Sequence, residues 1–114
     1  FDIVIANHVL EHVSDEKAAS ELLRILKPGG IFVCQVPINE GIEVSYEDPE
    51  IIDPKERLIH FGQTDHVRIY GRDFKKRITD NGFTLLNEIG PEMGDCIQYS
   101  LLPEEKTFVF HKSM

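Results

Sequence analysis

Three histidines stand where a side chain titrating near neutrality can do chemistry. His8 and His12 flank Glu11 in His8-Val9-Leu10-Glu11-His12, and His66 closes Gln63-Thr64-Asp65-His66. An unperturbed imidazole changes charge near neutral pH, so each is a candidate general base or proton carrier. His66 is the preferred residue for touching a substrate, and Tyr46, Arg68 and Tyr70 are expected to line the same region. The competing reading makes His66 a loop histidine bonded to Asp65 or to backbone. His8, Glu11 and His12 also match the His-x-x-Glu-His signature of inverted zinc peptidases. That chemistry needs both histidines on one face of a continuous helix, with Glu11 as the base. Here the motif follows an apolar strand directly, and Ser14 starts a helix only afterwards. The zinc peptidase match is read as coincidental, and no metal site is expected.

The elements that must position these residues are legible in the apolar pattern. Ile3, Val4, Ile5 and Ala6 are continuous rather than alternating, which predicts a central strand covered on both faces in a parallel sheet. Asn7 to Val13 reads as a loop or one irregular helical turn. Ser14 offers an N-cap, and Asp15 and Glu16 place negative charge where the helix dipole favours it. Ala18, Ala19, Leu22, Leu23 and Leu26 then form one apolar stripe. Lys27-Pro28-Gly29-Gly30 stops that helix through the proline and a left-handed glycine exit. A second buried strand runs from Ile31 to Val36 and ends at Pro37, completing a βαβ unit over residues 1–37.

From Ile38 to His66 the pattern loosens and turns acidic, as in a lid or substrate loop. Asp53-Pro54 there predicts a short capped helix through Ile59 or Phe61. Residues 67–114 read as a helix around Phe74 and Ile78 with Gly82 at its C-cap, then an antiparallel hairpin. Phe83, Leu85, Asn87 and Ile89 are expected on one side of the first hairpin strand, and Thr107 to His111 form the second. The stretch Gly90 to Glu105 reads as loop. Arg72, Lys75, Lys76 and Arg77 lie mostly opposite Phe74 and Ile78, as a solvated helix face does.

The run FDIVIANHVLEHVSDEKAASELLRILKPGGIFVCQVP resembles the middle of class I S-adenosylmethionine-dependent methyltransferases of the small-molecule type. In that family an acidic-start apolar strand is followed by a His-x-Leu-Glu-His-like loop. A helix ending in Leu-Lys-Pro-Gly-Gly then leads into the next strand. The phrase from Phe61 to Tyr70 also looks like one found in a subset of these proteins. The resemblance implies an α/β fold, the C-terminal half of a Rossmann-like sheet, with parallel strands, helices and a final antiparallel hairpin. Its terminal strand would run antiparallel between the fifth and sixth. It also implies S-adenosylmethionine as cofactor and a small-molecule methyl acceptor. By position it nominates Asn7, His8 and Leu10 as cofactor-facing, at the carboxyl end of a parallel strand. The family's glycine-rich turn and the acidic residue ending its second strand, which hold the cofactor's methionine and ribose portions, have no match here. No Gly-x-Gly occurs in the chain. The fragment alone is therefore expected to be inactive, and a non-catalytic binding module is the alternative.

Composition sets outer bounds. With 114 residues, 41% hydrophobic and 28% charged, the chain has the make-up of one ordinary globular domain at most. The net charge of −8 disfavours a nucleic-acid partner, because phosphates would be repelled. No apolar run reaches the roughly 18–20 residues that span a bilayer, so no membrane partner is expected. Cys34 lies in an apolar run as a small buried hydrophobe, and with Cys96 it makes no disulfide framework, which fits a reducing cytoplasm. The chain opens on Phe1-Asp2-Ile3-Val4-Ile5 in mid-strand, so a preceding half is expected to be missing. An apolar strand left at a sheet edge recruits partners, so the fragment is expected to self-associate through it.

Overall fold

A computed structural model describes residues 1–89 and 105–114. Strand β1 (Ile3–Asn7) leads through a single 3₁₀ turn, Leu10–His12, into helix α1 (Asp15–Ile25) and strand β2 (Ile31–Pro37). Two short strands, β3 (Tyr46–Glu47) and β4 (Arg68–Ile69), bracket helix α2 (Pro54–Phe61). Helix α3 (Phe74–Thr79) precedes strands β5 (Phe83–Ile89) and β6 (Glu105–Lys112).

The main sheet has the order β1-β2-β6-β5. β1 and β2 are parallel, whereas β6 runs antiparallel to both β2 and β5 and lies between them. The βαβ unit and the closing antiparallel pair thus form as the sequence pattern predicts. The pair β3 and β4 was not predicted, because two residues each carry no readable period.

Local chemistry explains the boundaries. The Ser14 hydroxyl caps α1 by accepting from Lys17 N–H, and Asp53 caps α2 by accepting from Lys55 N–H at 2.8 Å, with Pro54 at the first helical position. Gly62 ends α2 in the left-handed conformation, φ +86°, its N–H bonded to Leu58 O. After α1 the left-handed residue is Gly29, φ +79°, inside a turn closed by Gly30 N–H to Lys27 O, and not the C-cap itself, which is Leu26. Likewise α3 stops at Thr79, so Gly82 sits beyond its C-cap, Asp80.

The core lies on one face of the sheet. Phe32, Cys34 and Val36 alternate inward along β2 and meet Phe108 and Phe110 of β6. Ala19, Leu26, Phe74, Ile78 and Phe83 close over them from α1, α3 and β5. Burial pushes the Cys34 thiol up to about 12, so it packs as an inert hydrophobe.

Two expectations change. β1 is covered on one face only: Val4 and Ala6 pack against the core, while Ile3 and Ile5 are 60% and 65% exposed. β1 stands at the edge of the sheet, the position expected of this strand in the isolated chain. In β5 the alternation breaks because the register shifts between Leu85 and Asn87. Leu86 is the extra residue, which turns Asn87 and Ile89 outward and leaves Glu88 half-buried with Lys75 and Lys106. Residues 90–104, which contain most of the expected loop and Cys96, lie outside the described residues. No helix among those described is long and apolar enough to cross a membrane.

Phe110 is fully buried and its ring meets those of Phe32, Phe74, Phe83 and Phe108. Phe110→Ala is expected to cost about 3–5 kcal/mol in urea unfolding. Phe1→Ala, at a largely exposed position, should leave the midpoint nearly unchanged.

Candidate functional site

The site begins where β1 ends. His8 adopts a left-handed backbone, φ +55°, which is uncommon for a residue with a Cβ, and its N–H extends the ladder to Gln35 O at 2.8 Å. This bend lifts the chain off the sheet and drops Leu10 and Glu11 inward, each 1% exposed. Leu10 joins the core. Glu11 does not.

Two arginines hold the returning segment against this turn. Arg68 donates through Nη1 to the carbonyls of Leu10 and Val13, and through Nε to Glu47 at 3.0 Å. Arg77 grips Asp15 through Nε and Nη2 at 2.9 and 3.1 Å and reaches Glu47 at 3.0 Å. Between them lies Tyr70, whose hydroxyl donates to Asp15 at 2.9 Å and to Leu10 O at 3.3 Å. Both guanidinium carbons sit 5.6 Å from the Tyr70 ring centroid. Arg77 is therefore no solvated cation, although Lys76 on the same helix is. Burial and the adjacent Asp15 carboxylate push the Tyr70 phenol far up, so it stays a proton donor.

The segment so anchored arches over the carboxyl ends of β1 and β2 and encloses a cavity of about 680 Å³. Glu11, Pro37, Asn39, Phe61, His66 and Tyr70 are among its lining residues. Val67 N–H bonds Glu11 O at 2.9 Å, which brings His66 beside the 3₁₀ turn. Burial and the neighbouring His12 hold the His66 imidazole below its usual value, against the opposing pull of Glu11 and Asp65. The shift favours the neutral imidazole, the form able to accept a proton.

Glu11 is the residue that sequence reasoning passed over as a functional group. Both of its carboxylate oxygens are buried and neither has a hydrogen-bond partner. His8 Nδ1 and His12 Nε2 lie at 3.7 and 3.9 Å, too far for hydrogen bonds. A buried carboxylate without a donor is costly, and such groups concentrate where a ligand supplies the missing partner. The signal lay in the motif that was set aside as a coincidental peptidase match. The structure shows why that peptidase geometry fails: His8 precedes the turn and His12 ends it, with no continuous helix beneath them.

The nominated residues divide. His66, Arg68 and Tyr70 line the cavity, but the polar ends of Arg68 and Tyr70 are committed to the network. Tyr46 is not a lining residue and donates or accepts with His60 Nδ1 at 2.8 Å on the outer side of α2. Asn7 and His8 are exposed at the end of β1, where a ligand can reach them. Leu10 offers no side chain to a cleft, being in the core, and its carbonyl is taken by Arg68 and Tyr70.

Parallel β1 and β2, with an antiparallel strand inserted between β2 and the outer β5, match part of a Rossmann-like methyltransferase sheet. Residues 1–34 match the family model described as a methyltransferase domain. The chain has the class I S-adenosylmethionine-dependent methyltransferase fold. It is similar to 1,6-didemethyltoxoflavin-N1-methyltransferase of Burkholderia thailandensis, at 14% identity and a TM-score of 0.67, over 100% of this chain and 44% of that one. An S-adenosylmethionine dependent methyltransferase of Mesorhizobium loti matches at 15% identity and a TM-score of 0.62, over 98% and 62%. The cyclase SpnF matches at 17% identity and a TM-score of 0.63, over 100% and 51%. The chain thus spans roughly half the length of these proteins. No curated protein sequence matches it.

The Asp15 carboxyl sits below its ordinary value of 3.8: burial opposes ionisation, but hydrogen bonds from Arg77 and Tyr70 and the charges of both arginines outweigh it. Its contribution to stability is then complete above that ordinary value and is lost as the pH falls through the lowered one. Asp15→Asn is expected to lower the thermal midpoint at neutral pH and to flatten its fall in that acid window. A midpoint that falls as steeply in the variant would assign the acid loss elsewhere.

Proposed function

We propose that this chain is the acceptor-side, C-terminal part of a methyltransferase domain that transfers a methyl group from S-adenosylmethionine to a small molecule. Residues 1–37 supply the βαβ unit, 38–66 the lid over the cavity, and 67–114 the helix and antiparallel pair. The observation that carries the reading is the cavity at the carboxyl ends of β1 and β2, with His66 in its wall. Its volume suits a small organic acceptor. Methyl transfer to oxygen, nitrogen or carbon asks the protein for alignment and, where the acceptor carries a proton, a base. S-adenosylmethionine held by the complete domain would supply the methyl group and leave as S-adenosylhomocysteine; His66 would take the acceptor's proton, with Phe61 and Pro37 in the wall of the same cavity.

The residues present do not complete a site for the donor. Asn7 and His8 offer one exposed edge, Leu10 is occupied, and the chain has no Gly-x-Gly turn. Elements outside this chain would hold the rest of the donor, on the open side of β1. One related structure is a cyclase, so the fold alone does not assign methyl transfer and the site must.

Calorimetric titration of the isolated chain with S-adenosylmethionine is expected to show a Kd weaker than about 1 mM. Micromolar binding would overturn the division of labour. In a protein that joins these residues to a complete donor site, His66→Ala should lower kcat about 10²–10⁴-fold. An unchanged kcat would remove His66 from the chemistry.

The open edge of β1 has its own consequence. Ile3 and Ile5 are expected to pair the isolated chain with a second copy or with a complementary strand. Sedimentation equilibrium should then show dimers or larger species that Ile5→Lys dissociates. A monomer at high concentration would contradict this.

A further inference from the structure

We propose that His12, Asp65 and His66 form a divalent metal site at the cavity mouth, with the buried Glu11 carboxylate supporting it from the other side of the His12 ring, suited to Zn²⁺ or a similar borderline transition metal. One ligand atom from each of His12, Asp65 and His66 lies within 4.8 Å of the other two. Ligands about 2.0–2.2 Å from a shared zinc are separated by roughly 3–4 Å, so side-chain adjustments of about an ångström close the set. The His12 and His66 rings already meet edge to face, with centroids 4.6 Å apart.

A second observation points to the same ligand. Glu11 is buried with both oxygens unpartnered, and its Oε1 lies 3.9 Å from His12 Nε2. The nearest guanidinium in the wall, Arg68, is spent on two carbonyls and Glu47. A metal on His12 Nδ1 would hold the ring proton on Nε2 and so turn a donor toward this carboxylate.

The orientation of His12 fits that use. Its Nδ1 lies 3.3 Å from Asp65 Oδ2 and 3.1 Å from Asp65 O, so Nδ1 is the nitrogen that can share a cation with Asp65. With a metal on Nδ1, the ring proton sits on Nε2 and faces Glu11 Oε1, 3.9 Å away. A carboxylate facing the second nitrogen of a ligating imidazole is what orients a metal-binding histidine. Two histidines with a carboxylate form a nitrogen–oxygen donor set that favours zinc and its transition-metal neighbours over magnesium or calcium. Because His66 lines the cavity, an open coordination position would face it and bind an acceptor's oxygen or nitrogen; with the metal bound, that cation rather than His66 promotes loss of the acceptor's proton. The four residues come from two segments more than fifty positions apart, joined by Val67 N–H to Glu11 O.

The test uses the metal alone and does not depend on methyl transfer. The chain, stripped with chelator, is titrated with Co²⁺ by visible spectroscopy and with Zn²⁺ by calorimetry. One equivalent is expected, with ligand-field bands for Co²⁺ that Zn²⁺ abolishes. His12→Ala and His66→Ala should each weaken binding at least about 10-fold, while His60→Ala, on α2, leaves it unchanged. No binding up to about 1 mM Zn²⁺, or equal loss in all three variants, would overturn the site. Should an alanine variant lose its far-ultraviolet circular dichroism, Mn²⁺ is added to the unaltered chain and followed by NMR. Selective broadening of the His12 and His66 ring signals supports the site, and its absence overturns it.

Discussion

Asp15, Arg77, Glu47 and Arg68 form a chain of charge beside Tyr70, and the site's shape depends on it. Arg77 bridges Asp15 at the start of α1 to Glu47 of β3, and Arg68 bridges Glu47 to the carbonyls of the 3₁₀ turn. Four stretches of chain, two of them more than fifty residues apart, are joined by these few groups. Removing one partner from such a buried pair costs about 3–5 kcal/mol because the other charge is stranded, whereas the intact pair adds little over a well-packed apolar substitute. The network's contribution is thus one of position: it sets where the lid segment lands.

That landing decides the chemistry. With β4 paired to β3, Val67 reaches Glu11 O and His66 comes to rest against His12. Ser45 reinforces the same closure from the other side, bonding Asp73 through N–H and hydroxyl and accepting from Gly71 N–H. Against this rigid frame Glu11 remains unsatisfied. A fold that satisfies Asp15, Glu47 and Arg68 so fully and leaves one buried carboxylate bare has placed its cost where ligands bind.

The sheet shows a complementary imbalance. Its helix-covered face is filled with Phe32, Phe74, Phe83, Phe108 and Phe110, while Ile3 and Ile5 of β1 face solvent. An apolar strand this exposed is a pairing surface. Glu40, Glu88, Lys75 and Lys106 tie the opposite edge to the lid, so the two ends of the sheet differ: one is closed by charge, the other open and apolar.

What the sequence determined by itself is whatever depends on neighbours along the chain. Continuous apolar residues, Ser14 and Asp53 as caps, Pro54 at a helix start and the Pro28-Gly29 turn specify β1, α1, α2 and β2 through local conformational preference. The resemblance of residues 1–37 then supplied the strand order. The roles of Glu11, Arg77 and Tyr46 were not legible, because each is decided by residues fourteen or more positions away. Arg77 has the spacing of a solvated residue yet meets Asp15 across 62 positions, and Glu11 owes its isolation to a turn packed beneath a distant segment. The outward turn of Asn87 likewise follows from a bulge that only pairing with β6 reveals. Backbone preference is local and survives in the sequence; desolvation and charge pairing are properties of the folded neighbourhood, and only the tertiary structure sets them.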